Sequence, residues 1–192
     1  MSIKTPPPFG LDFRNGGPDV EIDPAQLEVL AQVYFDAVYS AEKEPPSLAR
    51  VVERLSDLIH KDTTSLVYDG EKLVGVGGYK LNGTTSKGKA VLELTMAIVD
   101  PGYRRRNIAV MMYASAMNGI RSLYPDGIIS IVSRHDAVHH LAQTYGFSER
   151  PLGAYYGMTE RDDRLPYATE MESQGFKAFI FNLSEVKDES ED

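Results

Sequence analysis

The sequence predicts an α/β (α+β) domain: one sheet with helices packed against it. Three observations predict it. Residues 63–68 and 73–81 are rich in strand-forming residues, and Asp69-Gly70 between them is a hairpin signal. Two earlier segments carry apolar residues at helical spacing. Later, the apolar run Leu94–Val99 enters an Asp100-Pro101-Gly102 turn and the periodic segment Ile108–Leu123 leaves it, which reads as strand, tight turn, helix.

In chain order, residues 1–18 are rich in Pro and Gly with few apolar anchors, and read as an irregular arm. Val20-Glu21-Ile22 reads as a short strand. Asp23-Pro24 then starts a helix, with Asp as N-cap and Pro in the first turn. Leu27, Leu30, Ala31, Tyr34, Phe35 and Val38 form its apolar face. Ser47 caps a second helix that presents Leu48, Val51, Val52, Leu55, Leu58 and Ile59. Gly75, Gly77 and Gly78 thin the strand that follows the hairpin, as a bulge or a close backbone approach requires. Val91–Val99 is long and apolar, as a central strand is. Ile128–Val132 reads as a buried strand, Asp136–Thr144 as a helix stopped by Gly146, and Leu152–Met158 and Phe176–Leu183 as closing strands. Thr159–Gln174 between them reads as a long loop. Residues 19–184 are thus expected to be one domain, followed by an acidic tail, 185–192.

Composition narrows the function. The 192 residues carry a net charge of −8, which argues against a nucleic-acid partner. There is no cysteine, so the chain brings no thiol chemistry. No segment approaches a membrane span, and the N-terminus has no apolar signal core, so a cytoplasmic location without membrane contact is expected.

Against the net negative charge, Arg104-Arg105-Arg106 at a helix start stands out. Cations there oppose the helix dipole. They fit if an anion sits between them and the free N–H groups of the first turn. The alternative is a solvated charge run.

Val99-Asp100-Pro101-x-Tyr103-Arg104-x-x-Asn107-x-Ala109 resembles the acyl-CoA-binding motif of the GNAT N-acetyltransferases. Arg104 and Ala109 match the pattern. Asn107 stands where that family has Gly, and Asn is the non-glycine residue that best tolerates positive φ. The order of elements over roughly residues 20–183 and the Gly146-Phe147 pair are also similar to the family's. The resemblance implies a GNAT-like acyltransferase fold with a mixed, mostly antiparallel central sheet. It implies an N-acetyltransferase that passes acetyl from acetyl-CoA to a primary amine by direct attack. The acceptor is a small molecule or a protein, and a homodimer is compatible with the pattern. A non-catalytic CoA-binding module of the same fold is the alternative.

By the same resemblance, main-chain groups of Ile98 and Val99 pair with the pantetheine arm. The loop Arg104, Arg105, Arg106, Asn107, Ile108 and Ala109 holds the pyrophosphate, and His135 occupies a position that touches the cofactor. Glu93 is a lone carboxylate in an apolar strand, where burial would raise its pKa toward that of a useful base. It also stands eleven residues before Arg104, the spacing of a family catalytic glutamate. The alternative is a solvent-facing position on an alternating strand. Thr95, on the same face, could orient a water. The family's tyrosine acid has Ala142 at its position, which leaves Tyr145 as the catalytic phenol or as packing beside Phe147.

Two further patterns need weighing. His135 and His139 flank an acid at metal-ligand spacing, but no third ligand is evident. The 159–174 segment holds five acids against two bases, with Tyr155, Tyr156 and Tyr167 nearby, which would suit a cationic amine.

Overall fold

The computed structural model describes residues 10–40, 44–61, 63–159, 161 and 163–185. The expected arm lies outside these residues up to position 9, and the expected tail from position 186. The chain divides into two units: residues up to Tyr79 together with Thr95–Ala116, and Lys80–Leu94 together with the residues from Met117. Among the described residues the sheet has seven strands, Leu11–Asn15 (β1), Thr64–Asp69 (β2), Lys72–Thr84 (β3), Ala90–Val99 (β4), Ile128–Ser133 (β5), Ser148–Arg150 (β6) and Lys177–Asn182 (β7), in the hydrogen-bonded order β1-β2-β3-β4-β5-β7-β6, and it is mixed and mostly antiparallel.

In the first unit, Leu11–Asn15 (β1) pairs antiparallel with Thr64–Asp69 (β2), so the arm is not irregular throughout. Val20–Ile22 is not a strand; Val20 and Ile22 instead pack on the core beneath the helices. Pro24–Val38 (α1) starts as expected, with the Asp23 carboxylate accepting from Ala25 N–H at 2.9 Å. Leu48–Ile59 (α2) is capped by Ser47, whose hydroxyl accepts from Arg50 N–H at 3.3 Å. Leu27, Leu30 and Ala31 meet Val51, Leu55, Leu58 and Ile59 over Leu66, Tyr68, Leu73, Val76 and Ile98.

Lys72–Thr84 (β3) follows the hairpin, with Gly70 in the left-handed region at φ 60°. Val67 pairs with Gly75 but Tyr68 pairs with Leu73, so Val74 is the extra residue of a β-bulge. The Val74 carbonyl accepts from Asp100 N–H, just past the end of β4, at 2.9 Å. At Gly78 the expected close approach is present: a Cβ would stand 2.6 Å from the Thr63 oxygen and 3.0 Å from Thr64 Cα. Both are backbone atoms and cannot swing aside. Gly78→Ala is therefore expected to cost about 1–3 kcal/mol. That lowers the melting temperature by about 2–12 °C for a chain of this size. Gly153→Ala, whose Cβ meets nothing within 4 Å, leaves it unchanged or raised. Parallel thermal melts of the two variants check this.

In the second unit, the first half of Ala90–Val99 (β4) pairs in parallel with Ile128–Ser133 (β5) at Val91↔Ile128, Leu92↔Ile129 and Glu93↔Ser130. Asp136–Thr144 (α4) ends where expected, with Gly146 at φ 79°. Ser148–Arg150 (β6) and Lys177–Asn182 (β7) complete the sheet. Leu152–Met158, expected as a strand, is a helix (α5), and it buries Leu152, Tyr155 and Tyr156 at i, i+3 and i+4. The 159–174 segment is not a bare loop either. It holds a 3₁₀ turn, Leu165–Tyr167, and a helix, Ala168–Ser173 (α6). Glu172 caps α5 by accepting from Leu152 N–H at 2.6 Å, so this acid has a structural task. No helix among the described residues is long and apolar enough to cross a membrane.

Candidate active site

In the first unit, β4 ends at Val99 and a 3₁₀ turn, Pro101–Tyr103, leads toward Ile108–Leu123 (α3). Asp100 organises the turn. Its carboxylate accepts from Gly102 N–H at 2.8 Å and pairs with Lys72 at 2.8 Å. Burial pushes its pKa up, but the Lys72 ammonium, the Gly102 N–H and Arg104 outweigh that, so the net shift is downward. The carboxylate stays ionised and the turn stays closed. Tyr103 donates to Asp69 at 2.7 Å, while Lys72 and Arg106 lie 5.0 and 4.9 Å from its ring centre.

Among the described residues only two non-glycine residues have positive φ, and both lie here: Arg105 at 64° and Asn107 at 59°. Single left-handed residues are strained for an L side chain, and such strain persists where the surroundings enforce it. Asn107 then starts α3, its carbonyl accepting from Met111 N–H at 3.0 Å. The first-turn N–H groups of a helix have no intrahelical partner. Arg104, Arg105, Arg106 and Asn107 are all exposed around them. Chemically, this is a set of backbone donors and cations suited to a pyrophosphate.

In the second unit, Glu93 is not in the apolar surroundings expected of it. Its side chain is 19% exposed, and it pairs with Lys80 at 3.6 Å. Around it lies a polar cluster that sequence reasoning missed. Arg161 NH1 donates to Asn82 Oδ1 at 3.1 Å, and Asn82 Nδ2 donates to the Tyr155 hydroxyl at 2.7 Å. That hydroxyl lies 3.0 Å from Ser130 Oγ, which donates to the Leu92 carbonyl at 3.3 Å. Burial, then the Glu93 charge, pushes the Tyr155 phenol well above the ordinary tyrosine value; it stays neutral and holds its proton for Ser130. Gly83, next to Asn82, lies against Thr159: a Cβ there would stand 2.9 Å from the Thr159 oxygen.

The family model for the GNAT acetyltransferases matches residues 27–147. The chain belongs to this family. Solved GNAT-type structures share its fold. An acetyltransferase from Thermus thermophilus is 19% identical with TM-score 0.56, covering 91% of this chain and 98% of its own. The N-acetylglutamate synthase of Neisseria gonorrhoeae, solved with coenzyme A and N-acetyl-glutamate, is 13% identical with TM-score 0.61. It covers 90% of this chain, which spans 35% of it. A Pyrococcus horikoshii protein assigned to the acetyltransferases is 14% identical with TM-score 0.51, covering 77% of this chain, which spans 46% of it. No curated protein matches the sequence.

The remaining positions singled out from the GNAT pattern fall as follows. Ile98 is buried and Val99 half-buried at the end of β4. Ile108 is buried in the core with Val67, Val74 and Met112, so its contribution to a ligand is its main chain; Ala109 packs beside it. His135 caps the start of α4, its N–H bonded to Ser133 Oγ at 3.1 Å. Its pKa is lowered, first by desolvation, then by Arg134 and His139, so the imidazole is neutral at pH 7. His139 is a core histidine: its Nε2 meets the Ser133 carbonyl at 2.7 Å and its ring lies 5.2 Å from that of Phe179. Tyr145 is half-buried at the end of α4. The phenol of Tyr113, on α3, bonds the Ala97 backbone and is pushed up by burial to about 12. Thr95 Oγ1, on β4, is buried with no hydrogen-bond partner. Tyr155 and Tyr156 are too buried for the cation contacts expected of them, whereas Tyr167 is exposed.

Proposed function

We propose that the protein transfers acetyl from acetyl-CoA to a primary amine. The observation that carries this reading is the pair of left-handed residues, Arg105 and Asn107, between the 101–103 turn that follows β4 and the start of α3. Family membership supports the same chemistry. In this reading the backbone and cations of Arg104–Ala109 hold the pyrophosphate, and the main chain of Ile98 and Val99 aligns the pantetheine arm. His135 is a further cofactor contact. When bound, acetyl-CoA supplies the activated acyl group.

An ammonium with a pKa about 10.4 is not a nucleophile, so the acceptor must lose a proton. Glu93 takes that proton. The free amine then attacks the thioester carbonyl. The C–N bond forms, the C–S bond breaks, and Tyr145 donates a proton to the departing thiolate. Lys80 beside Glu93 offsets the negative charge before the proton arrives. The proposed setting is the cytoplasm.

The test is turnover of acetyl-CoA with an amine panel, followed by release of free thiol. Amine-dependent thiol release at a rate above the buffer blank is the expected result. Tight acetyl-CoA binding with no amine-dependent release would instead favour a non-catalytic module.

A further inference from the structure

We propose that the acceptor is a small amino-acid-like molecule, with a carboxylate beside its amine, and that Arg161 holds that carboxylate in the place Asp163 now fills. The proposal rests on the acyl-transfer reading above and names the substrate class of its site.

An arginine has only donors, so the bond from Arg161 to Asn82 Oδ1 fixes which way the Asn82 amide faces. The Asn82 amino group must then donate to Tyr155, Tyr155 to Ser130, and Ser130 to the Leu92 carbonyl. Tyr155 is 1% exposed and Ser130 0%. A buried polar chain is costly unless every member is satisfied, and Arg161 satisfies Asn82 Oδ1 at its outer end. The guanidinium is thereby held by one edge.

Its other edge faces outward. Nε and NH2 donate in parallel to the two oxygens of Asp163, at 2.9 and 3.2 Å. This is the fork-to-fork geometry by which arginine reads carboxylates. The pair is weakly held, since the side chains are 33% and 63% exposed. Asp163 also has a second cation ready, Arg164, at 3.6 Å. Asp163 can therefore swing to Arg164 and leave the fork to an incoming carboxylate.

The charge around Glu93 selects the same acceptor. The Asp163 bonds, and after them the charges of Asp163 and Glu93, raise the pKa of Arg161, so Glu93 lies within electrostatic reach of it. Lys80 flanks Glu93 on its own account. Among the described residues of this cluster, Lys80, Arg161 and Arg164 outnumber Glu93 and Asp163. Among these residues a polyamine finds no carboxylate without a cation already beside it. A zwitterion places its ammonium at Glu93 and its carboxylate at Arg161. Of the five loop acids that would suit a cationic acceptor, Asp163 and Glu172 are already engaged, and Glu160 and Asp162 lie outside the described residues.

The test is calorimetric binding to the CoA-loaded protein, with a panel of common L-amino acids against their amides and spermidine as the polycation. Thiol release is followed in parallel with acetyl-CoA. Amino acids should bind at least about tenfold more tightly than their amides or spermidine. Arg161→Gln should weaken amino-acid binding about tenfold to a hundredfold and leave the amides unchanged. Arg161→Lys should recover part of the loss, and Asp163→Asn should tighten amino-acid binding. The proposal is overturned if no amino acid binds, if amides or spermidine bind as well, or if Arg161→Gln weakens amino acids and amides alike. Arg161-dependent binding without thiol release supports the carboxylate site and removes the transfer reading. Thiol release with spermidine or amides alone does the reverse.

Discussion

Glu93→Gln lowers turnover by about 10²–10⁴ near neutral pH while the fold and acetyl-CoA binding persist. The size follows from losing the only group proposed to take the ammonium proton. Preservation of the fold follows from the setting. The substitution keeps the side-chain shape and removes one ion pair, with Lys80, whose side chain is 50% exposed. Such pairs contribute about 0–1 kcal/mol. Steady-state kinetics across a wide pH range, with thermal melts as the control, measure both effects. Full activity of the variant at every pH would place the base elsewhere.

Asn107→Pro abolishes acetyl-CoA binding. The wild type at about 100-fold excess over Kd gains roughly 2.7 kcal/mol of stability, read as a thermal shift. Proline cannot reach φ 59°, since its ring fixes φ near −65°, and it deletes an N–H at the proposed phosphate site. Asn107→Gly is the companion variant. Glycine adopts positive φ freely, so it should keep the shift. If the glycine variant also loses the shift, the asparagine side chain matters more than its backbone. If the proline variant keeps it, the loop is not the anion site.

The expected and observed structures agree where local chemistry is strong. Ile108–Leu123 and Asp136–Thr144 are helices with the expected bounds, because a turn and a clear apolar period coincide at each. The left-handed backbone at Asn107 is legible from an asparagine standing where the family pattern has glycine. The α5 helix was not, because Tyr155, Tyr156 and two glycines look strand-like when burial is unknown. Leu152, Tyr155 and Tyr156 do fall at helical spacing, and that signal could have found it. For Glu93 the strand pattern leaves a buried and a solvent-facing reading open, and it cannot tell that Lys80 stands beside it. Least legible was the Arg161 cluster. Asn82 lies 73 residues from Tyr155 and 79 from Arg161, and no local spacing encodes such a meeting. Two bases, Arg161 and Arg164, in an acid-rich stretch are its only trace.

The run of protons from Arg161 to the Leu92 carbonyl has a consequence for how the protein can vary. Asn82, Tyr155 and Ser130 each accept from one neighbour and donate to the next, and the two hydroxyls can turn to run the other way. Asn82→Asp, for instance, sets a carboxylate oxygen against the Tyr155 hydroxyl, which then donates to it, while Ser130 turns to donate to Tyr155 and releases the Leu92 carbonyl. A change at position 82 is therefore felt at position 92 with 130 and 155 unchanged. The two hydroxyls act as a reversible relay, and the outer end of the chain can vary while its inner residues stay.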